Sequence, residues 1–348
     1  MRFFHASDIH LGAAPDRKKP WSLIRKQEIY ESFSRLIDEA NRQQIDFLFL
    51  SGDVFHKPPG INDIREFDYI LQKLVATKTV FIAGNHDYLS ENSPLKSYDF
   101  LSDTYLLDGK EVEYIFFEEE ETYVYGFSYW QQEITDSCYE GIAPVSSDGY
   151  HILLAHGGDA KHVPIDYEEL KWSGFDYIAL GHIHKPDILV EDLMAYPGSL
   201  EPLDQTETGP HGYIEGEISE EKQRITFVPF AKRSYLECEI PIHDEMVEMQ
   251  IYDRIRNEIL LRGAENYFYL TLSGNLHYGI NLDFSELEEK YQIIDIDNQL
   301  TEFGDYDELL SANRDNIVGK VMLKLEDEPK ALSYAMKALL STAKGGQL

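Results

Sequence analysis

The sequence predicts an α/β fold, a parallel or mixed sheet with helices on its faces, followed by a smaller α+β region. Three observations predict it. Short apolar runs of strand type alternate with stretches of helical periodicity. Each of those runs ends in a compact polar cluster. After about residue 232 the pattern changes, and no further cluster of that kind occurs.

In chain order, Arg2–Ala6 is a strand leading to Asp8 and His10. Trp21–Gln43 carries Leu23, Ile29, Phe33, Leu36, Ile37 and Ala40 at the spacing of one helix face. Phe47–Leu50 is a buried strand ending in Ser51-Gly52-Asp53. Ile61–Thr77 is a second helix, with Ile64, Phe67, Ile70, Leu71 and Leu74 inward. Thr79–Ala83 runs into Gly84-Asn85-His86-Asp87, His151–Ala155 into His156-Gly157-Gly158, and Asp176–Leu180 into Gly181-His182-Ile183-His184. Between them, Val112–Phe117 and Thr122–Tyr129 read as a hairpin with Glu118–Glu121 at its tip. Strand-rich sequence continues through Met194–Ser199, Gly212–Ile218 and Gln223–Phe230. Beyond a boundary near Lys232-Arg233 the order is helix Glu245–Leu261, strand Tyr267–Ser273, helix Glu286–Tyr291 and strand Gln292–Asp297. A last helix is expected over Glu328–Ala343. The expected domains are therefore 1–232, 233–325 and a terminal helix and tail at 326–348.

Composition narrows the class. The 348 residues suit about two domains. Two isolated cysteines, Cys138 and Cys238, do not make a disulfide framework and suit a reducing cytoplasm. No apolar stretch approaches the ~20 residues that span a bilayer, and Met1–His5 reads as a strand rather than a leader. Net charge is −32, which counts against a self-sufficient nucleic-acid binder. Residues 1–60, however, hold nine Lys/Arg against eight Asp/Glu, and the loop Arg17-Lys18-Lys19 before Trp21 is locally basic.

The strand-end clusters bring together Asp8, His10, Asp53, Asn85, His86, His156, His182 and His184. Clusters just past the strands of such a sheet share its carboxyl edge, where ligands sit in open α/β folds. Oxygen and imidazole donors without thiolates suit Mn²⁺, Fe²⁺ or Zn²⁺ rather than a structural zinc site. In extended chain, residues two apart point the same way, so Asp8/His10 and His182/His184 can each converge. Seven such ligands are too many for one transition metal and about right for two sharing a carboxylate. Two ions ~3.5–4 Å apart clamp the oxygens of an in-line phosphoryl displacement and acidify a water between them. His86 directly follows Asn85 in a tight turn, so the two side chains cannot easily serve one metal. These residue types point to hydrolysis of a phosphate ester.

The motifs Asp8-Ile9-His10, Gly52-Asp53-Val54-Phe55-His56, Gly84-Asn85-His86-Asp87, His156-Gly157-Gly158 and Gly181-His182-Ile183-His184 resemble, in order and spacing, the five motifs of calcineurin-type metallophosphoesterases. Phe55-His56 with Pro58, and Tyr196-Pro197-Gly198-Ser199-Leu200-Glu201, narrow the resemblance to SbcD-type DNA repair exonucleases, bacterial counterparts of the meiotic-recombination nuclease subunit. It covers roughly residues 1–232; residues 233–320 resemble the family's DNA-capping domain only in position and mixed pattern.

The resemblance implies a phosphoesterase sandwich of mixed sheets flanked by helices. It implies that Asp8, His10 and His184 hold one metal, that Asn85, His156 and His182 hold a second, and that Asp53 bridges them. His86 becomes the general acid or a transition-state donor, and His56 contacts the phosphate or steadies His86. Asp87 orients a ligand or caps its turn. Tyr196 and Ser199 become substrate-binding residues in a loop near the substrate, or else form a tight Pro-Gly turn; Arg17 and Lys18 join them as substrate-binding candidates on the strength of the basic loop rather than of the resemblance. Two Mn²⁺ ions, DNA as substrate and an SbcC-like coiled-coil ATPase as partner complete the implied reading. Beyond the capping domain only Glu328–Ala343 is available to bind that partner. The helices Trp21–Gln43 and Ile61–Thr77 are the candidates for a homodimer interface, although their apolar faces serve the core first. A phosphatase or phosphodiesterase for small molecules or nucleotides would carry the same metal motifs. The Phe55-His56 pair, the Tyr196–Glu201 loop and the second domain favour the nuclease, and the intact ligand set argues against a non-enzymatic clamp.

Overall fold

The computed structural model describes residues 1–277, 280–303 and most of 310–335. The chain divides into two compact units, Met1–Tyr235 and Leu236–Leu348.

The first unit is built on two six-stranded mixed sheets. One contains β1 (Arg2–Ala6), β2 (Phe47–Ser51), β3 (Lys78–Ile82) and β4 (Thr104–Leu106), all parallel, with the antiparallel β11 (Gly212–Ile218) and β12 (Gln223–Pro229) added beside β1. The other holds β6 (Thr122–Gly126), β7 (Tyr150–His156), β8 (Tyr177–Gly181) and β10 (Met194–Tyr196) in parallel, closed by antiparallel β5 (Glu113–Phe117) and β9 (Asp187–Val190) at its two edges. The β5–β6 pair is the expected hairpin. β2 reads as an unbroken apolar run because it is buried on both faces.

The inner faces meet in a core of Phe3, Phe47, Phe49, Val80 and Ile82 against Val124, Ile152, Leu154, Tyr177 and Ala179. On the outer face of the first sheet, α1 (Ser22–Gln43) and α2 (Ile61–Leu71) pack Phe33, Leu36, Ile37, Ile64, Phe67 and Leu71 over Phe4, Leu48, Leu50 and Phe81. Helical cover is uneven: the second sheet's outer face is covered mainly by aromatic loop residues such as Phe127, Tyr129 and Tyr139, and by the short α3 (Tyr167–Lys171).

The second helix is shorter than its periodicity predicts. It stops at Leu71 rather than Thr77 because Asn41 of α1 captures the next turn: its amide donates to the Lys73 carbonyl at 2.8 Å and its oxygen accepts from the Val75 amide at 3.0 Å. Those bonds replace the helical ladder that Leu74 would otherwise have continued.

In the second unit, β13 (Tyr235–Ile242), β14 (Tyr267–His277) and β15 (Ile293–Asn298) form a sheet whose one face takes Ile251, Ile255 and Ile259 of α4 (Glu248–Leu261). β14 runs past its predicted end. At Gly274, in the left-handed region at φ +102, it changes partner from β15 to β16 (Thr301–Phe303). A short α5 (Ser285–Lys290) precedes β15, and a helix spans Ile317–Lys324. The helix expected over Glu328–Ala343 falls largely outside the described residues. Among the described residues no helix is long and apolar enough to cross a membrane.

Candidate metal centre

The parallel strands β1, β2, β3, β7 and β8 deliver their carboxyl ends to one place. Asp8 N donates to Gly52 O at 3.1 Å and His10 N to Asp53 O at 3.0 Å, which seals the first two loops together. The His156 ring donates from Nδ1 to Ser51 O at 2.9 Å, which joins the two sheets.

The side chains do not converge by the pleat of extended chain. Asp8, His10 and Asp53 sit in the left-handed region at φ +50, +52 and +51, and His182 at φ +100. For residues with a Cβ this conformation costs about 1–2 kcal/mol each, less for aspartate. Such strain is concentrated where packing and hydrogen bonds over-determine a functional geometry. The expected extended geometry is therefore replaced by kinks. His182 and His184 do not serve one point: His182 turns to Asn85, His184 to Asp8 and His10.

Two donor groups result. In one, His184 Nε2 lies 3.2 Å from His10 Nε2 and 3.7 Å from Asp8 Oδ1. In the other, Asn85 Oδ1 lies 3.0 Å from both His156 Nε2 and His182 Nδ1. Asp53 stands between them, its Oδ2 3.7 Å from His10 Nε2 and 3.6 Å from His156 Nε2, while its Oδ1 accepts the His86 amide at 2.8 Å. Asp8, Asp53 and His156 also lie within ligating reach of one another. Gly84 makes the packing feasible, since a Cβ there would stand 2.3 Å from Asp53 Oδ1.

These donors fit divalent cations. Ser51 O can only accept, so His156 carries a proton on Nδ1, and its Nε2, unless a second proton or an ion sits there, turns a lone pair toward the Asn85 oxygen. Acceptor facing acceptor at 3.0 Å calls for a cation or a proton between them. Electrostatics agree. Burial alone would depress His156, but the Asp53 carboxylate beside it raises it to about 9. Burial likewise opposes the charge on His184, which its bond to Glu207 and the nearby Asp8 raise to about 9. Asp53 stays ionised despite burial because His156 and His10 hold its carboxyl far below the usual range. His10 is lowered by burial, and His182 by burial and by His156.

His86 and His56 flank this centre. Their rings stack at 5.5 Å, His86 stands edge-on to His10 at 4.8 Å, and its Nδ1 donates to the His56 carbonyl at 3.2 Å. His56 also places Nδ1 3.4 Å from His10 Nδ1, and it is lowered by burial, by His86 and by the charge of Arg17. Arg17 and Lys18 are exposed on a loop held by Asp16, whose carboxylate accepts from Trp21 Nε1 at 2.8 Å and Tyr235 OH at 2.7 Å. Asp87 is buried and caps its own turn: it accepts from Gly84 N at 2.6 Å and Phe55 N at 3.1 Å, tying the second motif to the third. Burial and the repulsion of Asp53 raise it to about 7.

Tyr196 and Ser199 do not line a substrate surface. Tyr196 is 2% exposed and donates its hydroxyl to Gly157 O at 2.8 Å; Ser199 is fully buried, with its hydroxyl between Glu207 and His211. Both support the loops behind the site. Two residues that sequence reasoning missed are Glu207, 2.7 Å from His184 Nδ1, and Asp159, 2.9 Å from His182 Nε2. Asp159 also accepts from His162, and its carboxyl is held below the usual range by both rings against the effect of burial.

Residues 1–186 match the model of the calcineurin-like phosphoesterase family. The uncharacterized metallophosphoesterase YhaO of Bacillus subtilis is 28% identical over 258 residues, 67% of this chain and 62% of that protein. The DNA double-strand break repair proteins Mre11 of Methanocaldococcus jannaschii and Methanococcus maripaludis are 31% and 30% identical, over 60% and 63% of this chain and 58% and 63% of theirs. The chain thus spans about three fifths of the length of these curated relatives. With five motifs at the edge of paired mixed sheets and more than half its length matched, the chain belongs to the calcineurin-like phosphoesterase family.

Proposed function

We propose that this chain is a metal-dependent DNA exonuclease that also cuts single strands internally. The observation that carries the reading is the pair of donor groups joined at Asp53, with His86 and His56 beside them. Asp8, His10 and His184 would hold one divalent ion and Asn85, His156 and His182 the other, with Asp53 common to both. Mixed carboxylate, carboxamide and imidazole donors suit Mn²⁺, and also admit Fe²⁺ or Zn²⁺. Bound there, two such ions supply an acidified water and a clamp for the oxygens of an in-line displacement.

The chain's own groups do the rest. Asp53 is fixed by the His86 amide. His86 donates its Nδ1–H to the His56 carbonyl, which leaves Nε2 free, and in the imidazolium form its Nε2–H would pass to the leaving oxygen, the ring returning to neutral with Nδ1–H still on that carbonyl. His56 holds His86 by ring and carbonyl. Arg17 and Lys18 offer exposed cations to a phosphate backbone near His56. Relatives named as DNA double-strand break repair proteins favour DNA as the substrate. A coiled-coil ATPase partner supplying most of the DNA grip, a homodimer and a cytoplasmic location belong to the same reading.

The test is hydrolysis of a linear DNA duplex beside a cyclic nucleotide and an aryl phosphodiester, all with Mn²⁺. Duplex shortened from its ends is the expected result. Rapid cleavage of the cyclic nucleotide with the duplex untouched would replace the nuclease with a small-molecule phosphodiesterase.

A further inference from the structure

The two histidines of the turn after β8 are each gripped from behind by a carboxylate, through opposite ring nitrogens. His184 places Nδ1 2.7 Å from Glu207 Oε1. An ionised carboxylate can only accept, so Glu207 keeps a proton on Nδ1, and Nε2, the atom facing His10 and Asp8, is the nitrogen that would exchange its own proton for an ion. His182 is the reverse. Its Nε2 lies 2.9 Å from Asp159 Oδ2, so its lone pair is on Nδ1, facing Asn85.

Both carboxylates are themselves held. Glu207 Oε2 accepts from Leu203 N at 2.9 Å and Ser199 Oγ at 3.2 Å, while Ser199 N donates to His184 O at 3.0 Å. The Ser199–Glu207 loop thus fixes His184 at backbone and ring together. Asp159 Oδ1 accepts from Lys161 N at 2.7 Å, and from His162 N and Nδ1 at 3.0 Å each. A neutral imidazole without such a partner has two tautomers, and the wrong one turns an N–H on the ion. Carboxylates behind metal-bound histidines commonly set tautomer and ring orientation.

We propose that Glu207 and Asp159 are positioning residues, one for each ion: Glu207 fixes the tautomer of His184, and Asp159 that of His182. This rests on the two-metal reading above. It separates the sites, because Glu207 serves only the group with Asp8 and His10, and Asp159 only the group with Asn85 and His156.

The experiment is calorimetric titration of the whole chain with Mn²⁺, for the wild type and for Glu207→Ala, Glu207→Gln, Asp159→Ala and Asp159→Asn, with thermal melts alongside. Each alanine variant should keep one ion at wild-type affinity and bind the other about 10–100-fold more weakly. The amide variants, whose oxygen can still accept, should recover most of that loss. In the metal-free chain at alkaline pH, where the ring is neutral, ring nitrogen-15 shifts should show a single tautomer of His184 in the wild type and a mixture in Glu207→Ala. Should an alanine variant fail to fold, the amide variant decides: a small loss confined to one ion supports the proposal. Unchanged affinity for both ions, or an equal loss at both, overturns it while the two-metal reading stands. A wild-type stoichiometry below two ions overturns that reading and the proposal with it.

Discussion

Among single residues, the proposed role of His86 gives the most specific test. His86 neighbours Asn85, yet its ring turns to His56 rather than to the Asn85 group. DNA cleavage expels an alkoxide, which must be protonated or otherwise stabilised as it leaves. His86→Ala should therefore keep both metals and still bind DNA, while turnover on DNA falls by ~10²–10⁴, the usual range for a lost general acid. A nitrophenolate leaving group needs little protonation, so a nitrophenyl diester should be slowed far less. Loss of an ion, or equal slowing of both substrates, would contradict the assignment. At this scale the sequence was legible where donors lie within a few residues of a strand-ending glycine, as in Gly84-Asn85-His86. It was not legible for Glu207 or Asp159. Among 63 acidic residues a single carboxylate carries no signal until the fold brings it to a histidine ring. Tyr196 and Ser199 misled for the converse reason: a Tyr-Pro-Gly-Ser loop follows the last motif in sequence but packs behind it in space.

Elements are pinned to one another beneath the metal centre by His5. This residue of β1 is fully buried, with Nε2 2.7 Å from Ser51 Oγ of β2 and Nδ1 2.8 Å from Tyr177 OH of β8 in the facing sheet. Burial lowers its pKa to about 3. The folded value lies below the unfolded one near 6.5, so protons favour the unfolded chain. The contribution is complete above about pH 6.5 and is lost as pH falls toward 3. One such group gives a slope of at most about 1.4 kcal/mol per pH unit. His5→Gln keeps hydrogen-bonding capacity but cannot titrate. Urea unfolding of wild type and variant between pH 6.5 and 4.5 should differ in slope by up to one proton. Parallel slopes would mean that His5 titrates normally in the folded protein. The strands and α1 were legible because their periods are strong. The end of α2 was not, since Asn41, thirty residues upstream, decides it. Nor were the left-handed kinks at Asp8, His10 and Asp53, which arise from loops sealing across β1 and β2 rather than from local preference.

At the scale of the whole molecule the governing fact is a net charge of −32 with exposed Arg17, Lys18 and Lys57 clustered in sequence around the site motifs. The second unit adds no compensation on its sheet, where Glu237, Glu239, Asp295 and Asp297 are exposed. Such a field repels a polyanion overall while attracting it locally. The chain alone should bind duplex DNA weakly, with about two to four phosphate contacts and hence a log–log salt slope of roughly −2 to −4. A slope near −8 would contradict this and imply a basic groove making many more phosphate contacts. The chain divides after Tyr235, close to the change of pattern near residue 232, while the sandwich of two sheets was implied by the family resemblance rather than by periodicity, because β6–β8 repeat the strand signals of β1–β3. What unites these scales is the proposed centre for two ions sharing Asp53, and metal stoichiometry tests it most directly. Elemental analysis of the Mn²⁺-saturated chain should give two ions per molecule, and Asp53→Ala should weaken both sites. One ion or none in the wild type, or two ions undiminished in Asp53→Ala, would contradict it.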